Sequence, residues 1–329
     1  MRGLLKNLFL SLASLIFVLF LCEAGYRLYV QVQKPLYRPS LVPHLGWEFT
    51  PGAQKFPEGY MINLSGFRDR TTGQWSGWLP GVERIIFLGD SITVGAGIQD
   101  YNRTYPALVE DFLRGESFSV QTANLAVDAT NTLQHLSVLK YKALPLEPGR
   151  IVLGYFLNDI ESRTVEKFPP VVEFLLRHFH FGAFLAYRFG TAIQNYDHHK
   201  HQEGTRPDLS LQCSAYASGI LHQFEGPAWQ KNEEILLRMA DECRGEEIFF
   251  GVVLFPFESQ IRGECPDFPQ KQLAEFCRKN NIPILDLLPI FKEASAEKSL
   301  YLEKDDIHPN AGGHETTARA IAEWLRSLR

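Results

Sequence analysis

The sequence predicts an α/β protein in which helices cover both faces of a five-stranded parallel sheet, preceded by an N-terminal membrane helix. Three observations lead to this prediction: apolar runs alternate with segments of helical periodicity, polar loops follow the apolar runs, and a nearly uncharged stretch opens the chain. Alternation of strands and helices is typical of a parallel sheet covered on both faces. A chain of 329 residues, 45% of them hydrophobic, can bury one substantial core of this type.

The first thirty residues predict where in the cell the protein resides. An uncharged run extends from Leu8 to Cys22, and it lengthens to residues 4–22 if Lys6 snorkels. Nineteen helical residues rise about 28 Å, close to the thickness of the hydrocarbon core. Because Arg2 and Lys6 precede the run, we expect a single-pass anchor with its N-terminus in the cytoplasm and the following domain exported. The alternative is a signal peptide cleaved after Ala24, but large residues such as Tyr26 surround that position and favour a retained anchor.

Five apolar runs predict the strands of the sheet, at residues 84–88, 118–123, 150–156, 247–255 and 282–287. Between them, helical spacing predicts helices at 104–114, 131–143, 228–243 and 268–279, and a last helix begins near Asn310. In open parallel sheets, ligands bind outside the carboxyl ends of the strands. We therefore expect Ser91, after the first strand, and Asn158, after the third, to lie on one edge, with His308 returning over it.

Three residues at opposite ends of the domain predict nucleophilic catalysis. Gly89-Asp90-Ser91 follows the first apolar run, and Asp305-x-x-His308-Pro309 precedes the last helix. A serine hydroxyl needs a neighbouring imidazole to take its proton, and the imidazole needs an acceptor that fixes its tautomer. Gly, Asp and Ser are also ordinary turn residues, so the tripeptide by itself has a non-catalytic interpretation. The α/β-hydrolase elbow G-x-S-x-G is excluded, because Thr93 stands two residues after Ser91.

Two further polar loops follow predicted strands. One is residues 124–132, and the other is Asn158-Asp159. A side-chain amide such as that of Asn158, together with backbone N–H groups, can donate hydrogen bonds to a developing oxyanion. The alternative for Asn158 is an Asx turn that caps the next segment.

Taken together, these segments resemble the SGNH (GDSL-type) hydrolase family. Its Ser, Asn and His blocks match at Gly89-Asp90-Ser91, at Asn158-Asp159 and at Asp305 with His308. The resemblance implies the SGNH hydrolase fold, a flavodoxin-like three-layer sandwich. It also implies Ser91 as nucleophile, His308 as general base and acid, and Asp305 as the residue that orients His308.

The remaining family block departs from the pattern. Where the family has Asn-x-Gly-x-x-Gly, this chain has Ala126 and Ala129, and Phe156 stands where a glycine often precedes the third block. The resemblance implies an oxyanion hole made of the Ser91 N–H, the Ala129 N–H and the Asn158 side chain. Alanine keeps its N–H, so Ala129 can serve unless the turn requires a positive φ, which a Cβ disfavours.

The segment before the domain also looks like that of membrane-anchored bacterial members of the family. The resemblance rests on Tyr37, Gly46-Trp47, Pro51-Gly52 and Ser65-Gly66-Phe67-Arg68-Asp69. We interpret the segment as a strap packed over the core and assign no catalytic role to Arg68 or Asp69. The chain then divides into residues 1–33 as cytoplasmic N-terminus and anchor, 34–82 as the strap, and 83–329 as the hydrolase-like domain.

Residues 161–226 of that domain are longer than an ordinary connection and form a predicted helical insertion. The stretch from Phe168 to Gln194 is rich in Phe and Leu. It fits a lid over an acyl pocket, a helical hairpin packed on the sheet, or a surface in contact with the bilayer. No motif decides among these three.

The resemblance implies a serine-dependent ester hydrolase of the carboxylesterase or acetylesterase type. With the anchor, we expect a bacterial inner-membrane protein whose catalytic domain faces the periplasm and acts on an acylated small molecule, envelope glycan or lipid. One alternative is a polysaccharide O-acetyltransferase, since an acyl-serine can pass its acyl group to a sugar. The other is a non-catalytic envelope scaffold or glycan-binding module on the same fold.

Other ligand classes find little support. The formal net charge of −5 gives no basic footprint for nucleic acid, and no phosphate-binding loop is present, so we expect no nucleic-acid partner and no cofactor. The stretch His198-His199-Lys200-His201 lacks the ligand spacing of a catalytic zinc site, so we expect no metal. In an exported domain, Cys213, Cys243, Cys265 and Cys277 permit two disulfides in three connectivities, or remain buried thiols.

Overall fold

The computed structural model describes residues 2–55, 59–70, 73–74, 77–116, 118–160, 179–182, 184–185 and 213–328. The chain begins with one long helix, α1 (Arg2–Gln33). Its segment Leu5–Gln33 is long and apolar enough to cross a membrane, and its leucine and phenylalanine side chains are largely exposed. A membrane span and a signal sequence both have this character.

The strap follows α1 and forms two short antiparallel hairpins. Strand β1 (Tyr37–Pro39) pairs with β2 (Trp47–Phe49), and β3 (Gln54–Lys55) pairs with β4 (Tyr60–Met61). The strap has a small apolar cluster separate from the main core.

The main sheet has five parallel strands, as the alternation of strands and helices predicts. They are β5 (Glu83–Gly89), β6 (Val120–Asn124), β7 (Arg150–Phe156), β8 (Phe249–Phe255) and β9 (Ile284–Asp286), in the spatial order β6-β5-β7-β8-β9. The central strands are apolar on both faces: Phe87, Val152 and Val253 are completely buried. This continuous apolar character is what a parallel sheet covered on both sides requires.

The helices flank this sheet. They are α2 (Ser91–Val94), α3 (Tyr105–Gly115), α4 (Thr132–Val138), α5 (Ala215–Gln223), α6 (Pro227–Gly245), α7 (Glu258–Ile261), α8 (Phe268–Lys279), α9 (Leu288–Ala294) and α10 (Ala311–Ser327). Asn131 and Asn310 cap α4 and α10 through their side chains. The helix predicted at 131–143 is α-helical only to Val138 and continues as a π-helical turn, Leu139–Ala143. Pro145 then follows in a 3₁₀ turn, where an α-helix cannot continue.

The order of the strands decides on which face of the sheet each helix lies and where a crevice opens at the sheet edge. The chain moves outward from β5 to β6 and then returns past β5 to β7, β8 and β9. Right-handed crossovers therefore put α3 on one face and α4, α6 and α8 on the other. The contacts agree, because α3 packs against α10 and α4 against α6. The connections from β5 and β7 leave toward opposite faces, which opens a crevice at their carboxyl ends.

The cysteines combine the two patterns that the sequence suggests, with one disulfide and two free thiols among the four of the domain. Cys213, just before α5, forms a disulfide with Cys265, in the loop after α7. Cys243 and Cys277 are buried free thiols. Most of the predicted insertion at 161–226 lies outside the described residues, so its three interpretations stay predictions.

Candidate active site

The nucleophile candidate sits on a sharp turn between β5 and α2. Ser91 is the first residue of α2, and the Asp90 side chain caps this helix by accepting a hydrogen bond from Ile92 N at 2.9 Å. Gly89 has φ +153°, and a Cβ there would lie 2.1 Å from the Thr93 hydroxyl oxygen. Glycine is therefore required at the end of β5, and the turn aims Ser91 into the crevice at the sheet edge.

Ser91, His308 and Asp305 form one chain of hydrogen bonds. Ser91 Oγ lies 2.9 Å from His308 Nε2, and His308 Nδ1 lies 2.7 Å from Asp305 Oδ2. With the proton on Nδ1, the imidazole donates to Asp305 and accepts from Ser91. The side chains of His308 and Asp305 are 23% and 29% exposed, so solvent and substrate can reach the base.

The loop that carries His308 is held from several directions. Asp305 Oδ1 accepts hydrogen bonds from Ile307 N (2.8 Å) and His308 N (3.1 Å). Burial by itself would raise the pKa of the Asp305 carboxyl, but the hydrogen bonds from His308 and from the Ile307 backbone N–H outweigh it and lower the pKa. The neighbouring Asp306 accepts from Ser259 N at 2.6 Å and Ser259 Oγ at 2.9 Å. Asp305 therefore stays ionised and oriented toward His308.

The loop after β6 packs directly against the nucleophile turn. Val127 N donates to Gly89 O at 3.1 Å, and Thr130 Oγ1 donates to Val127 O at 2.6 Å. Between them, Ala129 has φ +54°, so this turn does require the left-handed conformation that alanine disfavours. Ala129 is exposed, and none of the described residues accepts a hydrogen bond from its N–H. The group is thus open to a ligand.

Asn158 lies in a 3₁₀ turn that directly follows β7, the neighbour of β5. Its Nδ2 donates to the Tyr216 hydroxyl at 3.1 Å, whereas its Oδ1 is buried without a partner among the described residues. Rotating the amide by 180° would let the Tyr216 hydroxyl donate to Oδ1 and would leave Nδ2 free to donate elsewhere. Asp159 is buried and accepts from Phe156 N at 3.0 Å, which stabilises the turn.

Three side chains around this site were not predicted from the sequence: Tyr37, Trp47 and Tyr216. Tyr37 and Trp47 of the strap both contact Asp128: the Tyr37 hydroxyl donates to its carboxylate, and Trp47 Nε1 donates to its backbone oxygen at 2.9 Å. Burial raises the pKa of the Asp128 carboxyl, although hydrogen bonds from Tyr37 and Tyr60 oppose this. Both Tyr37 and Trp47 belong to the lead-in motif, which was the available signal. Nothing in the sequence singled out Tyr216.

The described residues contain no group of three or more His, Cys, Asp or Glu side chains that could hold a metal ion. The stretch 198–201 lies outside them.

Comparison with known proteins finds a matching family model and similar solved structures. The sequence model of the family described as GDSL-like Lipase/Acylhydrolase matches residues 85–321, whereas no curated protein matches the chain. Similar solved structures include the psychrotrophic esterase EstA from Pseudoalteromonas sp., with 12% identity and a TM-score of 0.45 over 75% of this chain and 98% of that chain. The lipase/acylhydrolase from Enterococcus faecalis has 16% identity and a TM-score of 0.44 over 75% and 97%. A two-domain esterase active on acetylated mannans has 15% identity and a TM-score of 0.46 over 75% and 50%.

Proposed function

The chain belongs to the GDSL-like lipase/acylhydrolase family and is a hydrolase of ester bonds, and from this premise we propose that it works through an acyl-serine intermediate on Ser91. The observation that carries the proposal is the hydrogen-bonded chain from Ser91 through His308 to Asp305, with distances of 2.9 and 2.7 Å. These distances lie within the range that proton transfer between a nucleophile and its base requires.

In the first half-reaction, His308 Nε2 takes the proton of Ser91 Oγ as the oxygen attacks the ester carbonyl. The tetrahedral intermediate collapses, the C–O bond to the alcohol breaks, and His308 returns its proton to the leaving oxygen. In the second, His308 takes a proton from water, the hydroxide attacks the acyl-serine, and the proton returns to Ser91 as the acid leaves. The Asp305 carboxylate stabilises the imidazolium that forms in both steps.

The negative charge on the carbonyl oxygen needs donors. Ser91 N–H, Ala129 N–H and the Asn158 amide supply them in this proposal. Ser91 and Asn158 follow neighbouring strands, and the loop that holds Ala129 is bonded to Gly89, two residues before Ser91. Loss of one such donor commonly lowers kcat about 10²–10³-fold. Asn158→Ala should therefore slow turnover by about that factor, and an unchanged turnover would remove Asn158 from the oxyanion hole.

We place the domain in the periplasm, anchored by α1 as a single-pass helix in the inner membrane. Two features support this proposal. Arg2 and Lys6 precede the apolar run, which favours a cytoplasmic N-terminus. The Cys213–Cys265 disulfide suits an oxidising compartment. An acylated glycan or lipid of the envelope is the substrate that such a location would present.

Labelling with a fluorophosphonate tests the proposal without a guess about the ester. The full chain in detergent should form one adduct on Ser91, located by mass spectrometry, and His308→Ala should abolish it. Ser299→Ala, at an exposed serine near the same loop, is the matched control and should label normally. A folded wild-type chain that stays unlabelled would contradict the catalytic proposal and favour a scaffold. After labelling succeeds, the ratio of acyl transfer to hydrolysis with an added glycan distinguishes a hydrolase from an O-acetyltransferase.

A further inference from the structure

We propose that the strap is part of the catalytic apparatus, because it holds in place the two backbone segments that present the Ser91 and Ala129 N–H groups. Trp47, Tyr37 and Arg68 are positioning residues in this view, and none of them touches the substrate. The inference rests on the proposed function and deepens it. Three independent sets of contacts carry it.

The first set is apolar. The small cluster of the strap contains Phe49, Ala53, Tyr60 and Ile62, and two residues from the hydrolase domain complete it. These two are Val94, the last residue of the nucleophile helix α2, and Ala126, in the loop that leads to Ala129; both are buried. The methyl group of Ala126, where the family has glycine, thus packs against the strap. The strap's apolar cluster includes one residue from each of the two segments that bear the proposed backbone donors.

The second set consists of hydrogen bonds from Arg68 to the end of the nucleophile helix α2. Arg68 is 1% exposed, and its guanidinium donates to backbone oxygens. Its Nη1 donates to Val94 O at 2.9 Å and to Gly95 O at 2.6 Å, at the carboxyl end of α2, and its Nη2 donates to Ile98 O in the loop that follows. A four-residue helix has no stability of its own, and its last carbonyl groups lack partners within the helix. A guanidinium at that end supplies donors and a favourable charge, so Arg68 fixes the helix whose first residue is Ser91.

The third set consists of hydrogen bonds from the strap to Asp128, in the turn that presents Ala129. Trp47 Nε1 donates to the backbone oxygen of Asp128, and the Tyr37 hydroxyl donates to the Asp128 carboxylate. Ala129, the next residue, holds a left-handed conformation that a Cβ disfavours. Such conformations persist where surrounding contacts over-determine them. The strap bonds on Asp128 are contacts of this kind, and they aim the free N–H of Ala129.

The decisive variant is Trp47→Phe, which removes the indole donor and keeps an aromatic ring. Trp78→Phe is its matched control, because Trp78 Nε1 also donates to a backbone oxygen, that of Leu146, just before the amino end of β7. Both indoles are half-buried, so loss of a hydrogen bond and of ring area is similar in the two variants. Among the described contacts, the indole of Trp47 donates to the loop of the site, whereas that of Trp78 donates to Leu146.

The experiment measures kcat and KM on a small activated ester, the rate of fluorophosphonate labelling, and the melting temperature, all with the full chain in detergent. We expect Trp47→Phe to lower kcat and the labelling rate by about 10-fold or more with little change in KM, since it displaces a group used in the transition state. Trp78→Phe should keep wild-type kcat at a comparable melting temperature. Tyr37→Phe, which loses only a hydroxyl, should lower kcat in the same way but by a smaller factor. It replaces Trp47→Phe as the test variant if Trp47→Phe does not fold.

The outcomes separate the two proposals. If the wild-type chain labels and Trp47→Phe and Tyr37→Phe both match Trp78→Phe in kcat, the strap has only a structural role and this inference is wrong. If KM rises instead while kcat holds, the strap contributes to binding rather than to positioning, and the inference is again wrong. If the folded wild-type chain does not label, the proposed function fails first and this inference fails with it.

Discussion

Replacing Gly89 by alanine should distort the turn that carries Ser91. The new Cβ would lie 2.1 Å from Thr93 Oγ1 and 2.8 Å from the carbonyl oxygen of Gly154. Neither neighbour can move aside cheaply. Thr93 is completely buried and accepts a hydrogen bond from the Tyr105 hydroxyl at 2.8 Å, and Gly154 belongs to β7, directly beside Gly89 in the sheet.

Two costs add at this position. A φ of +153° is strained for any residue with a Cβ, by about 1–3 kcal/mol, and overpacking a close-packed core costs about 1–3 kcal/mol more. A combined loss of about 3 kcal/mol corresponds to a fall of roughly 6–12 °C in melting temperature for a domain of this size. The labelling rate of Ser91 should fall more steeply, because displacing a reacting atom by about 1 Å can cost about 10²-fold.

The assay is thermal unfolding of the full chain in detergent, followed by tryptophan fluorescence, together with the rate of fluorophosphonate labelling. Gly219→Ala in α5 is the matched control, because nothing lies within 4 Å of a Cβ at that helical position. This control should raise stability by about 0.5–1 kcal/mol, since alanine is the better helix former. A Gly89→Ala variant that melts within about 2 °C of wild type and labels normally would refute the steric reasoning.

Three further predictions concern stability. Ala129→Gly relieves the positive φ, but glycine gives the unfolded chain more freedom, so the free energy of unfolding should rise by about 0.5–1 kcal/mol in chemical denaturation; a fall would contradict the strain. Burial raises the pKa of Asp90 from 3.8 to about 6, so the folded state binds this proton more tightly and loses stability as the pH rises from about 4 to 6. The free energy of unfolding of Asp90→Asn should therefore exceed that of wild type by up to about 3 kcal/mol at pH about 7.5 and by almost nothing near pH 4. The control Asp241→Asn, at an exposed position, should show no such pH dependence, and identical pH profiles of the two variants would contradict the prediction. Reduction of Cys213–Cys265, whose partners are 52 residues apart, should lower the melting temperature through the loss of about 4 kcal/mol of loop constraint, and a wild-type chain insensitive to reductant would count against it.

Local patterns in the sequence were sufficient for the architecture. The ends of each strand of the sheet were predicted to within two residues, because buried parallel strands are continuous apolar runs with polar residues at their ends. Ser91 and Asn158 were predicted to share an edge, since the carboxyl ends of parallel strands do. Asp305 and His308 were predicted to act together because they stand three residues apart, close enough for one loop to carry both.

Contacts between residues far apart in the chain could not be predicted from such local patterns. Asn158 and Tyr216 are 58 positions apart, and Trp47 and Asp128 are 81 apart. Such pairs leave no periodic signal, because their meeting depends on how strands and hairpins pack and not on the local backbone. The choice of Cys213–Cys265 among the possible pairings was undetermined for the same reason.

By itself the sequence determined the α/β fold class and the apolar N-terminal helix, because these follow from local composition and periodicity. It also named the candidate nucleophile, base and orienting carboxylate, because they stand in short motifs that resemble those of a known family. Only the tertiary structure decided the positive φ of Ala129 and the close approach around Gly89. It also decided the contacts of the strap with the helix that begins at Ser91 and with the loop that holds Ala129. The backbone angles of a turn and the partners of a buried guanidinium such as Arg68 are set by the elements packed around them, which come from distant parts of the chain.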